Sequence, residues 1–202
     1  MNNEKPWDAR LAYCLIYPLR NSGVKPNHLT GLRLVFGILA AAALATGDYF
    51  WANAGAVCFV ISNFLDHTDG ELARLTGSMT TRGHYFDLAC DALVNILLFV
   101  GIGIGLARGP LGFWALPMGL ASGIAVAGIF HMRNRIEQNI GKQGARQPHY
   151  LGFEAEDVLY LLPVITWMNW LVPFLVLASI GAPAYALRVW FEFRAHVAGA
   201  RP

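Results

Sequence analysis

Apolar residues in this chain come in long runs, broken at intervals by glycine, proline and charge. Such runs predict helices that cross a bilayer, because about 20 helical residues span a hydrocarbon layer about 30 Å thick. The first covers about Leu29 to Thr46, after the lead-in Pro26-Asn27-His28, and closes at Gly47-Asp48. Tyr49, Phe50 and Trp51 then form an interfacial aromatic belt. A second run starts there and reaches Ala73; a short polar loop, Leu75 to Arg82, separates it from a third, Gly83 to Leu106. Arg108-Gly109-Pro110 breaks the pattern. The fourth, fifth and sixth runs cover about Leu111–Met132, Glu154–Met168 and Leu171–Trp190, with Pro173 and Pro183 expected to kink the last. Between the fourth and fifth lies a polar stretch, Arg133 to Tyr150.

Upstream, residues 4–20 mix Glu4, Lys5, Asp8 and Arg10 with Trp7, Leu11, Cys14, Leu15 and Tyr17 at helical spacing. That mixture is too short and too charged to span, and predicts an amphipathic helix lying on the membrane surface. The run ends at Pro18-Leu19-Arg20 without a small-residue cleavage site, which argues against a signal peptide. The expected fold is therefore all-α: a polytopic membrane protein with six transmembrane helices plus an N-terminal amphipathic interfacial helix. It forms a single domain over residues 1–202, with 1–27 as interfacial helix and lead-in and 28–196 as the six-helix bundle.

Composition agrees: 55% of residues are hydrophobic and only 14% charged, the balance of a membrane protein. A net charge of +2 offers no broad nucleic-acid surface. Cys14, Cys58 and Cys90 are scattered with no CxxC pair, so they suggest neither a metal nor a disulfide framework. Of the 15 Lys and Arg residues, all but Arg108 fall on one side of the expected bundle, Arg33 counted among them. The positive-inside rule then places both termini in the cytoplasm. Gly101, Gly103, Gly105, Gly119 and Gly123 read as close-packing positions between helices, Gly119-x3-Gly123 being a small-xxx-small pair.

The chemistry concentrates in residues 66 to 91. Asp66 and Asp69 share a helix face with Gly70 and Ala73, and Asp87 and Asp91 lie four apart on the next helix. Side by side, the two helices would pool four carboxylates, each costing about 2–3 kcal/mol in a membrane unless compensated. Divalent cations would relieve the repulsion, and hard oxygen ligands suit Mg²⁺, Mn²⁺ or Ca²⁺. The acids alone fit ion or proton transport as well as metal-assisted chemistry. Gly70 and Ala73 leave room for a flat nucleotide, Arg74 suits a phosphate, and Gly83 keeps the third helix from blocking a pocket. His67 and His84 read as rim residues. Glu154, Glu156 and Asp157 read as a solvated helix start. Lys142 and Arg146 suit either an anionic acceptor or lipid headgroups.

The pattern Asp66-x2-Asp69-Gly70-x2-Ala73-Arg74-x8-Gly83-x3-Asp87-x3-Asp91 resembles, at every fixed position, the signature of the class I CDP-alcohol phosphatidyltransferases. Pro26-Asn27-His28-Leu29-Thr30 is a softer match. The resemblance implies metal-dependent transfer of a substituted phosphate from a CDP-alcohol, usually CDP-diacylglycerol, to an acceptor alcohol, with release of CMP. It implies Asp66, Asp69 and Asp87 as principal ligands of two divalent cations, Mg²⁺ or Mn²⁺, with Ca²⁺ as an inhibitor. Asp91 becomes the general base and a further metal ligand. Gly70, Ala73, Arg74 and Gly83, with Thr30 and Asn27, become the CDP contacts. By charge, Lys142 and Arg146 as acceptor contacts would favour an anionic alcohol, whereas Glu154, Glu156 and Asp157 would favour a cationic one. A homodimer in the cell (inner) membrane, with membrane lipids around it and the site facing the cytoplasm, completes the expectation.

Overall fold

A computed structural model describes Tyr17, residues 22–144 and residues 159–198. The expected amphipathic helix over residues 4–20 falls outside these, Tyr17 apart, as do Arg146, Glu154, Glu156 and Asp157. All regular structure among the described residues is helical. The order is α1 (Pro26–Ala45), α2 (Tyr49–Thr76), α3 (Thr81–Leu106), a 3-10 turn at Gly112–Trp114, α4 (Ala115–Gly144), α5 (Leu162–Trp167) and α6 (Leu171–Ala198).

Local chemistry sets the helix ends. Pro26 opens α1 at its first turn, where its missing N–H is no loss, and the Lys25 N–H donates back to His28 Nδ1 at 3.3 Å. Asp48 caps α2 by accepting from the N–H groups of Phe50 (2.9 Å) and Trp51 (3.2 Å). Gly77 ends that helix at φ 62°, a left-handed conformation that costs a side chain dearly. Thr80 Oγ1 caps α3 by accepting from the Gly83 N–H at 3.0 Å.

α1, α3, α4 and α6 supply four stretches long and apolar enough to cross a membrane, Pro26–Ala45, Thr81–Leu106, Gly112–Ile136 and Leu171–Ala195. α2 is 28 residues long, about 42 Å, but ends in the charged motif. Three expectations change. The fourth run does not stop at Met132: α4 continues to Gly144, and residues 133–144 contain no proline to break it. The fifth run, expected from Glu154, shows as a six-residue α5 after a 3-10 turn at 159–161, so its described part is too short to span. It turns back at Asn169, φ 57°, where the Trp170 N–H donates to the Ile165 carbonyl at 2.8 Å. The helix predicted to end near Trp190 runs on through Pro183 to Ala198.

α1 packs on α2 and α3, α3 on α4, α4 on α6, and α5 on α2. The core joins Ala40 and Leu44 of α1, Phe59 of α2, Val94, Leu98, Phe99 and Ile102 of α3, Leu162 of α5 and Leu175 of α6. Phe99 stacks on Phe174, ring centroids 5.9 Å apart. The glycines do pack helices closely. A methyl on Gly101 would strike the Ala41 carbonyl, one on Gly103 would lie 2.6 Å from the Ala115 oxygen, and one on Gly123 2.9 Å from the Ile96 Cα. This packing holds the C-terminal part of α2 and the N-terminal part of α3 against the start of α1.

Candidate active site

Three helices meet at the acidic motif. α2 brings Asp66 and Asp69, α3 brings Asp87 and Asp91, and α1 brings Thr30 and Arg33. Oxygen atoms of Asp66, Asp69 and Asp87 lie within 4.8 Å of one another. Two ligands on opposite sides of a Mg²⁺ ion stand about 4.2 Å apart, and around Ca²⁺ about 4.8 Å. The triad therefore fits a hard divalent cation with little side-chain adjustment. Asp69 is buried, and its Oδ2 accepts from Thr30 Oγ1 at 2.6 Å.

Arg33 fills the other side of the cluster. Its Nη1 donates to Asp66 Oδ1 and to Asp87 Oδ1 (2.9 Å), and its Nη2 to Asp91 Oδ1 (2.6 Å). The residue is only 2% exposed. Asp91 Oδ1 also accepts from Asn95 Nδ2 at 3.2 Å. Neither bond uses Asp91 Oδ2. Asp91 thus stands beside the carboxylate triad rather than within it.

A cavity of about 470 Å³ opens on the triad side. Asn27, Thr30, Gly70, Ala73, Arg74 and Gly83 all line it, together with Asp69 and Asp87. Every residue expected at a nucleotide thus faces one space. Gly70 leaves its wall low, since a Cβ there would meet only Arg74 Nη2, at 3.7 Å. At Gly83 a Cβ would come within 3.2 Å of Asn27 Oδ1 and 3.0 Å of Thr80 Oγ1, so glycine there lets α1 and α3 approach. Arg74 is half-exposed and pairs with Glu71, whose side chain is buried.

The chain belongs to the CDP-alcohol phosphatidyltransferase family. The family model, described as CDP-alcohol phosphatidyltransferase, matches residues 24–192, which takes in α1 to α5 and most of α6. Relatives agree. The chain is 30% identical over 108 residues to a ceramide phosphoethanolamine synthase of Drosophila melanogaster, covering 49% of this chain and 28% of that one. It is 32% identical over 89 residues to an archaetidylinositol phosphate synthase of Pyrococcus horikoshii, covering 43% of this chain and 45% of the other. A cholinephosphotransferase 1 of Gallus gallus is 33% identical over 110 residues, 54% of this chain and 30% of that one. The matched stretches thus span less than half the length of each relative.

Within this family frame, the remaining expected site residues fall outside the cluster. Lys142 lies in the last turns of α4, and Arg146 lies beyond the described residues. His67 Nδ1 faces the Asn63 carbonyl at 3.1 Å, and His84, which lines the cavity, has its Nε2 3.0 Å from Gln138 Nε2. Sequence reasoning missed two residues. Glu71 was visible as an acid three before Arg74 on one helix face. Arg33 was visible as a lone cation inside an apolar run, one turn after Thr30, but had been counted as a boundary charge.

Proposed function

We propose that this protein transfers a substituted phosphate from a CDP-alcohol, with CDP-diacylglycerol as donor, to the hydroxyl of an acceptor alcohol, releasing CMP, in phospholipid synthesis. One observation carries the reading: the six positions matched to nucleotide binding line a single cavity whose wall includes Asp69 and Asp87. Asp66, Asp69 and Asp87 would hold the divalent cations, Mg²⁺ or Mn²⁺, with Asp91 as a further ligand. Bound cations supply charge neutralisation at the diphosphate and at the leaving CMP oxygen.

The chain's own groups then do the rest. Arg74 offers a cationic fork to phosphate at the cavity mouth, and Gly70 and Ala73 let the nucleotide lie against α2. Asp91 accepts the proton of the acceptor hydroxyl as its oxygen bonds to the phosphorus that carries the lipid. The bond from that phosphorus to the bridging oxygen of CMP breaks, and the electron pair leaves with CMP. Direct in-line attack needs no phospho-enzyme.

The relatives carry phosphoethanolamine, inositol phosphate and choline in their names, so head-group identity is a matter for assay. Lys142 and Arg146 are the groups proposed for an anionic acceptor. The proposed setting is the cell membrane, as a homodimer, with the site and both termini cytoplasmic. Six spans are proposed, including α2 and the apolar run that contains α5.

The test incubates the protein with CDP-diacylglycerol and a panel of alcohols, follows CMP and weighs the lipid product by mass spectrometry. Acceptor-dependent CMP that stops with EDTA and returns with Mg²⁺ or Mn²⁺ is expected. Cation flux into liposomes that lack CDP-lipid, with no CMP formed under any condition, would replace this reading with transport.

A further inference from the structure

Arg33 is the largest fully buried side chain of the molecule's described core, and its guanidinium points into the carboxylates rather than away from them. A guanidinium is a fixed fork of donors that can reach several carboxylates at once, which a lysine cannot do. Here one fork ties Asp66 of α2 to Asp87 and Asp91 of α3 from a third helix, α1. The Arg33 backbone is pinned as well, its carbonyl accepting from Ser62 Oγ at 2.9 Å. Asp69 stands differently, for its bonded partner is the neutral hydroxyl of Thr30. The cluster is therefore lopsided: Arg33 pairs with Asp66, Asp87 and Asp91, while Asp69, bonded to Thr30, lines the cavity.

We propose that Arg33 is a built-in counter-cation and positioning residue, which holds Asp66, Asp87 and Asp91 together without metal and yields ground on the Asp91 side when divalent cations enter. Four carboxylates against one guanidinium leave an excess of three negative charges, which one divalent ion lowers to one. A first ion enters from the Asp69 corner and shares Asp66 and Asp87 with Arg33 Nη1; a second must also take Asp91 from Arg33 Nη2. The fork also fixes Asp91 by its Oδ1, leaving Oδ2 as the edge for an acceptor hydroxyl. This inference rests on the metal-dependent reading above, and the experiment separates the two.

Wild type, Arg33→Gln, Arg33→Lys and the double variant Arg33→Gln with Asp91→Asn are purified in detergent. Mn²⁺ affinity is read by electron paramagnetic resonance, thermal midpoint in EDTA and in Mg²⁺, and CMP formation by assay. Removing a fixed cation a few ångströms from the ion should tighten Mn²⁺ binding about tenfold or more. Transfer should fall about a hundredfold in the same variant, because Asp91 loses its orientation. A merely structural arginine would not raise metal affinity while lowering turnover. In EDTA, Arg33→Gln should melt lower than wild type, and the double variant should recover part of the loss by deleting one repelling carboxylate. Arg33→Lys, which keeps the charge without the fork, should preserve the EDTA midpoint better than it preserves transfer. Unfolding of Arg33→Gln in EDTA with rescue by Mg²⁺ also supports the proposal. Unchanged or weaker Mn²⁺ binding in Arg33→Gln overturns it, as does a double variant no more stable than the single one. Failure of the wild type to bind Mn²⁺ at all would instead sink the metal-dependent reading, with the EDTA comparison still deciding on Arg33.

Discussion

Asp91 takes its meaning from what faces it. Arg33 and Asn95 both donate to its Oδ1, which fixes the carboxylate and leaves its Oδ2 unused by either bond. An asparagine at 91 would keep an oxygen for those donors but could not take up a proton. Asp91→Asn is therefore expected to fold and bind Mn²⁺, while transfer drops by about 10²–10⁴, the range for loss of a general base. Near-normal CMP release from that variant would remove Asp91 from the base role. The four aspartates were legible because each pair, three apart on one helix and four apart on the next, shares a helix face. Arg33 was not, since nothing in a linear pattern tells a boundary cation from one turned inward by packing.

Helix against helix, the small residues decide how near the acidic ends of α2 and α3 can stand. Gly119 of α4 lies against the Phe99 carbonyl of α3, where any Cβ would collide with backbone. Gly128, on the same helix, has open space around its Cα. Gly119→Leu should therefore push α3 from α4 and lower the thermal midpoint by the equivalent of about 1–3 kcal/mol. Gly128→Leu should leave the midpoint where it was. Equal melting of the two variants would show that this contact does not hold the bundle. The small-xxx-small spacing of Gly119 and Gly123 had flagged a packing face, and α3 is the helix that occupies it. The extension of α4 past Met132 was less visible, because polarity marks the end of an apolar layer and not the end of a helix.

At the scale of the whole molecule, the cavity opens at the connection between α2 and α3, near Ser78 and Thr80, while Gly109 and Arg108 lie at the far end of α3. The distribution of Lys and Arg, read by the positive-inside rule, is the ground for proposing that the cavity end faces the cytoplasm. In a background with Cys14, Cys58 and Cys90 changed to serine, Gly109→Cys should react with an impermeant maleimide on intact cells. Ser78→Cys should react only after the membrane is opened. The reverse pattern would invert the protein and separate the site from cytoplasmic nucleotide. Such a placement suits a donor whose acyl chains stay among lipids while its nucleotide reaches water.

The chain alone determined the helical character, the breaks after Pro26, at Gly47-Asp48 and over Leu75 to Arg82, and the identity of the acidic motif. These depend on residue type and short spacing, which a linear pattern carries in full. Tertiary packing decided which oxygens gather and which cation stands among them. A carboxylate's neighbours across a helix interface are set by the approach of three backbones, and no spacing along one of them specifies that. Hence Asp66, Asp69 and Asp87 close on one another while one arginine from a third helix pairs with Asp66, Asp87 and Asp91.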